Sequence, residues 1–315
     1  MDNSKVVKAI ERIKTFVPPD GEPYYLCYSG GKDSDCIRIL AVLAGVPYEI
    51  HHNLTTVDAP ETVRYIKSIP GVIINKAYYD DRFDENGNPL HKTMWNLIER
   101  KKFPPTRLFR FCCEHLKERE GKGRFKITGV RAAESPSRAK NGGIVKIIGK
   151  PATVQKKAEE IGAEYEITEK QGLILNFDNS KSVSLAHQCY RTTSTLINPI
   201  LDWTDDDVWD FLHYYGCEGN PLYQCGEKRI GCIGCPLQGY TGMKKDFTKY
   251  PKYRAAYVRA FDRMLKAREE ADIATRNTTW LDGEHVLRWW QGDDPMQLSF
   301  FDDAVTEEDL AYWNL

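Results

Sequence analysis

Tyr24-Tyr25-Leu26-Cys27-Tyr28-Ser29-Gly30-Gly31-Lys32-Asp33-Ser34 is the stretch that decides the fold of this chain. Tyr24 to Tyr28 is a short apolar and aromatic run, the pattern of a buried strand. Beyond Ser34, Ile37, Leu40, Ala41 and Ala44 recur at helical spacing up to Gly45, a natural helix stop. The residues between predict a strand–turn–helix junction. Two glycines let the backbone turn sharply and come close to a ligand. Ser29, Ser34 and successive backbone N–H groups then gather at a helix N-terminus, where the helix dipole favours an anion, and Lys32 adds a positive charge. The spacing differs from the GxxxxGK[ST] loop.

Outward from the turn, strands alternate with helices. Val6, Val7, Ile10, Ile13 and Phe16 predict a first helix, closed by Pro18-Pro19-Asp20-Gly21. Tyr48 to Asn53 predicts a strand that empties into Thr55 and Thr56, and a helix follows over about 59–68. Val72 to Ile74 is another short strand, 79–88 a loop, and His91 to Lys102 a helix ended by Pro104-Pro105. Phe125 to Val130 predicts a core strand that releases Arg131 to Arg138 into a loop. The alternation predicts an α/β fold, a doubly wound and mostly parallel sheet. Ligands of such sheets sit at the carboxyl ends of strands, where the turn, Thr55-Thr56 and Arg131 all fall.

Residues 140–195 read as an insertion, with a helix near 154–161 and β-like runs over 165–168 and 173–177. Asp205 to Tyr215 is helical, with Thr204 as N-cap and Asp207 at its third position. Helices over about 251–271, 283–291 and 305–313 complete the chain. The expected organisation is a nucleotide-binding domain over 1–203 and a helical, cysteine-containing region over 204–315.

The chain has 315 residues, 41% of them hydrophobic and 28% charged, with a net charge of −1, which gives no global nucleic-acid signature. No window approaches the ~18 apolar residues of a membrane span, and the first residues lack an apolar signal core, so the expectation is a cytoplasmic protein without a membrane partner. One local exception is 244–268, with nine Lys or Arg against Asp246 and Asp262. It reads as an amphipathic helix with a solvated basic face, or as a surface for a nucleic-acid backbone.

Nine cysteines in such a chain point to metal ligands or reactive thiols before disulfides. Cys112 and Cys113 are adjacent, and Cys232 and Cys235 form a CxxC turn in which Gly234 permits the backbone geometry. CxxC alone serves zinc sites and redox pairs alike, and Cys225, Cys232 and Cys235 with Cys217 or Cys189 could build a Zn2+ site.

The turn resembles the PP-loop of the adenine-nucleotide α-hydrolase superfamily. With Arg110 to Lys117, Gly129 to Arg138 and Asn198 to Thr204 in order, the chain looks like the phosphoadenosine phosphosulfate (PAPS) reductase family over roughly residues 20–240. Its CC and CxxC match the cysteine pattern of adenylyl-sulfate reductases, which implies a [4Fe-4S] cluster on Cys112, Cys113, Cys232 and Cys235. The resemblance further implies an adenine nucleotide, ATP or an adenylyl-sulfate (PAPS or APS), on Ser29, Gly30, Gly31, Lys32, Asp33, Ser34, Thr55, Thr56, Arg131 and Arg138. Lys32, Asp33 and Arg131 are then the candidate catalytic residues. With ATP, the implied chemistry is α–β phosphate cleavage that adenylates an acceptor, with Mg2+ bridging phosphates and Asp33 as one of its ligands. With an adenylyl-sulfate it is reduction to sulfite, which calls for a nucleophilic thiol and a thiol reductant. The family's C-terminal nucleophilic cysteine has no counterpart among residues 300–315, which leaves Cys189 or Cys225 for that role. Adenylation linked to sulfur transfer, with a sulfur-donor protein as partner, is the favoured expectation. Phosphosulfate reduction is the second, and a regulatory or nucleic-acid-associated binding module without turnover the third.

Overall fold

The computed structural model describes residues 3–168, 172–273 and 280–293. In chain order these residues form α1 (Asn3–Thr15), β1 (Tyr24–Cys27), α2 (Lys32–Ala44), β2 (Tyr48–Asn53), α3 (Pro60–Ser68), β3 (Val72–Asn75), β4 (Tyr78–Phe83), β5 (Pro89–His91), α4 (Met94–Lys101) and α5 (Phe111–Leu116). Next come β6 (Phe125–Ile127), α6 (Pro136–Asn141), β7 (Val145–Ile148), α7 (Pro151–Ile161), β8 (Glu166–Ile167), β9 (Leu173–Leu175), α8 (Ser180–Cys189) and β10 (Ser194–Ile197). The rest are α9 (Asp205–Tyr214), α10 (Pro221–Gln224), α11 (Gly239–Lys249), α12 (Pro251–Glu270) and α13 (Gly283–Trp290). The helix expected over 305–313 lies outside the described residues. None of the described helices is long and apolar enough to cross a membrane.

The chain packs as two units, each drawn from separated stretches of sequence. Among the described residues, one comprises those within 3–54, 60–75 and 119–230, the other those within 55–59, 76–118 and 231–293.

The first unit holds an eight-stranded sheet in the order β3-β2-β1-β6-β10-β7-β9-β8. The five strands from β3 to β10 run parallel, whereas β7, β9 and β8 join in antiparallel register. The fold is therefore α/β with a mostly parallel, doubly wound sheet. Residues 140–195, read from sequence as an insertion, are the antiparallel extension of this same sheet together with α7 and α8. The period-2 signal of strands only two to four residues long is too short to reveal that pairing.

On α2, Ile37, Leu40, Ala41 and Ala44 are buried, with Cys36 beside them. Gly45 ends the helix at φ 66°, its N–H returned to the Val42 carbonyl. On α1 the buried stripe is Val6, Ala9, Arg12 and Ile13, and Val7 is exposed. Arg12 is buried with both terminal nitrogens of its guanidinium paired: Nη1 donates to the Pro199 carbonyl and to Asp202, and Nη2 donates to the other Asp202 oxygen. Thr204 caps α9 as expected, accepting the Asp207 N–H, while Asp207 accepts the Thr204 N–H in return.

In the second unit, residues 79–88, expected as a loop, lie largely in the β4–β5 hairpin. Asp84 holds the hairpin turn through the N–H groups of Asn86 and Asn88. Aromatic rings form the core here. Trp290 packs 4.9 Å from Tyr257 and 5.4 Å from Phe261, and its Nε1 donates to the Pro105 carbonyl.

The basic segment 244–268 is two helices, because the chain breaks at Tyr250-Pro251, where proline takes the first position of α12. The buried stripe of α12 is Tyr257, Ala260, Phe261, Met264 and Arg268. Several of its basic side chains meet acids of the same unit: Arg254 with Glu284, Arg263 with Glu99, and Lys244 with Asp293.

Candidate functional site

The turn after β1 is built as the sequence implies. Gly30 adopts φ +72°, and a Cβ there would stand 2.8 Å from Ile66 Cγ1, so glycine is required on both counts. Gly31 is the N-cap of α2 in extended backbone. Ser34 staples the turn, its Oγ donating to the Gly31 carbonyl (2.7 Å) and accepting the Gly31 N–H (3.1 Å). The next residue, Asp35, is fully buried and accepts the hydroxyls of Tyr28 (2.7 Å) and Tyr65 (2.9 Å). Burial pushes the Asp35 carboxyl up, against the pull of those two hydrogen bonds and of Arg38. Asp35 thereby ties the start of α2 to Tyr28 and Tyr65.

Around the turn lies a set of charges that the sequence alone does not connect. Lys32 is buried, with Nζ 3.4 Å from Asp205 and 5.8 Å from the centre of the Tyr223 ring. Arg131 is also buried: its Nε donates to Asp33 (2.6 Å), its Nη2 to Asp205 (2.5 Å) and its Nη1 to the Trp203 carbonyl (3.4 Å). Gly129 lies directly against Asp33, where a Cβ would meet the Asp33 backbone and side chain at 2.9 Å. The two residues flanking Gly129, Thr128 and Val130, line a cavity of about 340 Å³ together with Arg138, Asn141, Lys146 and Asn198. Glu134 joins the two places, since it accepts the Arg131 N–H and pairs with the Arg138 guanidinium.

The cysteines expected as ligands all fall in the second unit. Phe111 and Leu116 anchor α5 in the interior, leaving Cys112 and Cys113 half-buried. The CxxC turn is held at its first three residues: Cys232 bridges Asp58, Ile233 N–H donates to the Val57 carbonyl, Gly234 N–H donates to Asp246, and Tyr257 donates to the Ile233 carbonyl. Gly234 has φ +70°, and its missing Cβ would stand 2.5 Å from Phe247.

These four thiols influence one another electrically. Cys112 is raised by its hydrogen bond to Cys113 and by burial, and further by Cys232 and Cys235. Cys113 is pulled down to about 5, chiefly because Cys112 donates to it, with Arg110 Nη2 donating across 3.4 Å and Lys117 close by. Cys232, Asp58 and Cys113 raise the buried Lys117 ammonium against the cost of its burial, while burial also raises the Cys232 thiol. Among the described residues no three Cys, His, Asp or Glu side chains stand close enough to enclose a single ion.

A sequence model of the phosphoadenosine phosphosulfate reductase domain matches residues 23–238. The chain belongs to the PAPS reductase family. An uncharacterised protein of Methanocaldococcus jannaschii is 28% identical to this family member over 217 residues, 66% of the chain and 40% of that protein. The adenosine 5′-phosphosulfate reductase of Anoxybacillus flavithermus is 40% identical over 43 residues, 14% of the chain and 18% of that enzyme. The chain thus spans less than half the length of these relatives. Among solved structures, the PAPS reductase of Candida auris in a phosphate complex aligns with a TM-score of 0.39 at 15% identity, over 72% of this chain and 87% of that one. The U34-tRNA thiolase of Methanococcus maripaludis with its [4Fe-4S] cluster aligns at 0.32 and 10%, over 89% and 83%.

In this PAPS reductase family member the structure brings Ser29 to Ser34 and Arg131 together in the first unit, with Arg138 in the adjoining cavity. Thr55 and Thr56 belong to the second unit. Thr55 receives the Cys232 thiol at 3.6 Å, and Thr56, at φ 65°, accepts the Met94 N–H. Asp205, Asn220 and Tyr223 were not singled out from the sequence. Asn220-Pro221 is legible as a helix start, but nothing local says that this helix meets the turn some 190 residues earlier.

Proposed function

We propose that this family member binds the pyrophosphate end of ATP on the turn 29–34, cleaves between the α- and β-phosphates and adenylates an acceptor in sulfur transfer. The turn carries the reading: Gly30 at positive φ, Gly31 at the N-cap of a 13-residue helix and the buried Lys32 ammonium concentrate positive potential at one place. Lys32 offsets charge that develops on the leaving pyrophosphate, and its contact with Asp205 keeps it oriented meanwhile. Arg131, bonded to both Asp33 and Asp205, sets the positions of these two carboxylates. Asp33 would hold Mg2+, which would supply charge neutralisation for the phosphates. The cavity with Arg138 and Lys146 is the place for the acceptor; apolar Val130, Ile148 and Leu196 line it beside these two cations, which suits a molecule with an apolar body and an anionic group.

The cysteine site suits an iron–sulfur cluster better than one ion. A four-iron cluster takes one thiolate on each separate iron, so its ligands need not crowd together as those of zinc do. Cys112, Cys113, Cys232 and Cys235 would hold it, and Arg110 and Lys117 would balance the thiolate charge. Bound there, the cluster would supply sulfur or electrons.

Reduction of an adenylyl-sulfate is the second reading, favoured by the family match itself. It needs an accessible thiol. Cys189 is fully buried in the core, Cys217 is half-buried and Cys225 is exposed.

The experiment is an anaerobic turnover assay with ATP and PAPS offered in parallel to protein of known iron content. Pyrophosphate and AMP formed from ATP support adenylation. Sulfite formed from PAPS replaces that reading with reduction. In the same preparations, Cys112→Ser and Cys235→Ser are expected to lose most of the bound iron; wild-type iron content in both removes the cluster.

A further inference from the structure

The short helix α10 and the Asn220 that caps it lie against the turn through two contacts that none of the motifs above describes. Asn220 is fully buried, and its Nδ2 donates to the Gly30 carbonyl (3.1 Å) and to Thr62 Oγ1 (3.2 Å), while its Oδ1 accepts the Leu222 N–H. This fixes the peptide that joins the two glycines. Three residues on, Tyr223 Oη accepts the Lys32 N–H at 3.0 Å. That N–H is one of the first-turn donors of α2 that have no partner within the helix. The same oxygen lies 3.4 Å from where a Gly31 Cβ would be, so it stands against the turn at Gly31 as well as at Lys32. A phenol is both donor and acceptor. Among the described residues nothing takes the Tyr223 proton. The ring itself is held edge-on to Trp209, with centroids 5.0 Å apart.

We infer that Tyr223 is a ligand-binding residue of the turn. Its hydroxyl keeps the Lys32 N–H and donates its own proton to an anionic oxygen of the bound pyrophosphate or phosphosulfate, extending the cradle by one donor beyond the backbone. The inference rests on the reading of the turn as an anion site. It explains why the segment 220–223 is bonded to both Gly30 and Lys32: Asn220 sets the height of the helix, and Tyr223 spends that placement on the ligand.

The test is calorimetric titration of the full chain and of Tyr223→Phe with inorganic pyrophosphate, together with the near-ultraviolet tyrosine difference spectrum on binding. Phenylalanine keeps the ring against Trp209 and removes only the hydroxyl. Loss of one hydrogen bond to a charged acceptor predicts a Kd about 10-fold or more higher, with a modest fall in melting temperature from the Lys32 N–H that loses its acceptor. The wild type should show a tyrosine difference band that the variant lacks, a signal that a merely structural role would not produce. Equal or tighter binding by Tyr223→Phe overturns the inference, and tighter binding would mark the hydroxyl as a plug. Wild-type binding without the tyrosine band also overturns it, and needs no variant. Absence of pyrophosphate binding by the wild type overturns the anion site itself, and the role of Tyr223 with it.

Discussion

Arg131 Nε donates to Asp33 across 2.6 Å, tying the loop that follows β6 to the first turn of α2 from a position that is only 1% exposed. The guanidinium divides its donors between Asp33 on one side and Asp205 on the other, so a single buried cation sets the positions of two carboxylates beside Lys32.

Arg131→Met keeps much of the buried volume and removes the donors. The expected cost is about 2–4 kcal/mol in urea unfolding, where a surface pair would cost under ~1. The acid limb of stability should change as well. Burial pushes the Asp205 carboxyl up, but the Arg131 hydrogen bond and the charges of Lys32 and Arg131 outweigh it and leave the carboxyl below its ordinary value. A carboxyl lowered on folding stabilises above its unfolded pKa of about 4, and that contribution fades as pH falls through the folded value. Wild-type stability should therefore decline more steeply below about pH 4 than that of the variant. Parallel acid limbs would show that the pairing has no energetic weight.

Arg12 offers a comparison away from the site. Arg12→Lys retains the charge but cannot reproduce the fork that holds both Asp202 oxygens and the Pro199 carbonyl. A loss of about 1–3 kcal/mol is expected, read as a lower denaturant midpoint with an unchanged slope. Nucleotide binding measured on the same protein should stay at the wild-type level.

Gly234→Ala places a methyl group 2.5 Å from Phe247 at a φ of +70°, in the middle of the CxxC turn. The left-handed conformation alone costs about 1–2 kcal/mol, and the ring must also move. Iron and sulfide per chain should fall together with the melting temperature. Full metal content at a lowered melting temperature would mean that the turn tolerates the shift without losing its ligands.

The thiols should separate by accessibility. Cys225 is exposed, while Cys36 and Cys189 are fully buried. Burial raises the Cys36 and Cys189 thiols and pushes Cys27 up to about 11. Under native conditions, iodoacetamide followed by peptide mapping should mark Cys225 first and reach Cys36 and Cys189 only on unfolding. Early labelling of Cys189 would place it outside the core.

Local chemistry was enough to read the strand–turn–helix at Ser29 to Ser34, the α2 stripe from Ile37 to Ala44, the Thr204 cap and the need for glycine at position 234. Each depends on residues within a few positions of one another, and the physics that selects them (backbone freedom, helical spacing, a capping oxygen) acts at that range. The grouping of CC with CxxC and the family motifs pointed to the chemistry. The three-dimensional packing alone decided what the motifs touch. It assigned Thr55 and Thr56 to the unit that carries the cysteines, joined residues 140–195 to the sheet through antiparallel pairing, and spent the Arg131 fork on Asp33 and Asp205. It also brought Tyr223 onto the Lys32 amide. Such contacts come from the crossover order of the strands and from the burial of charges that must find partners, and both are set by residues distant in the chain.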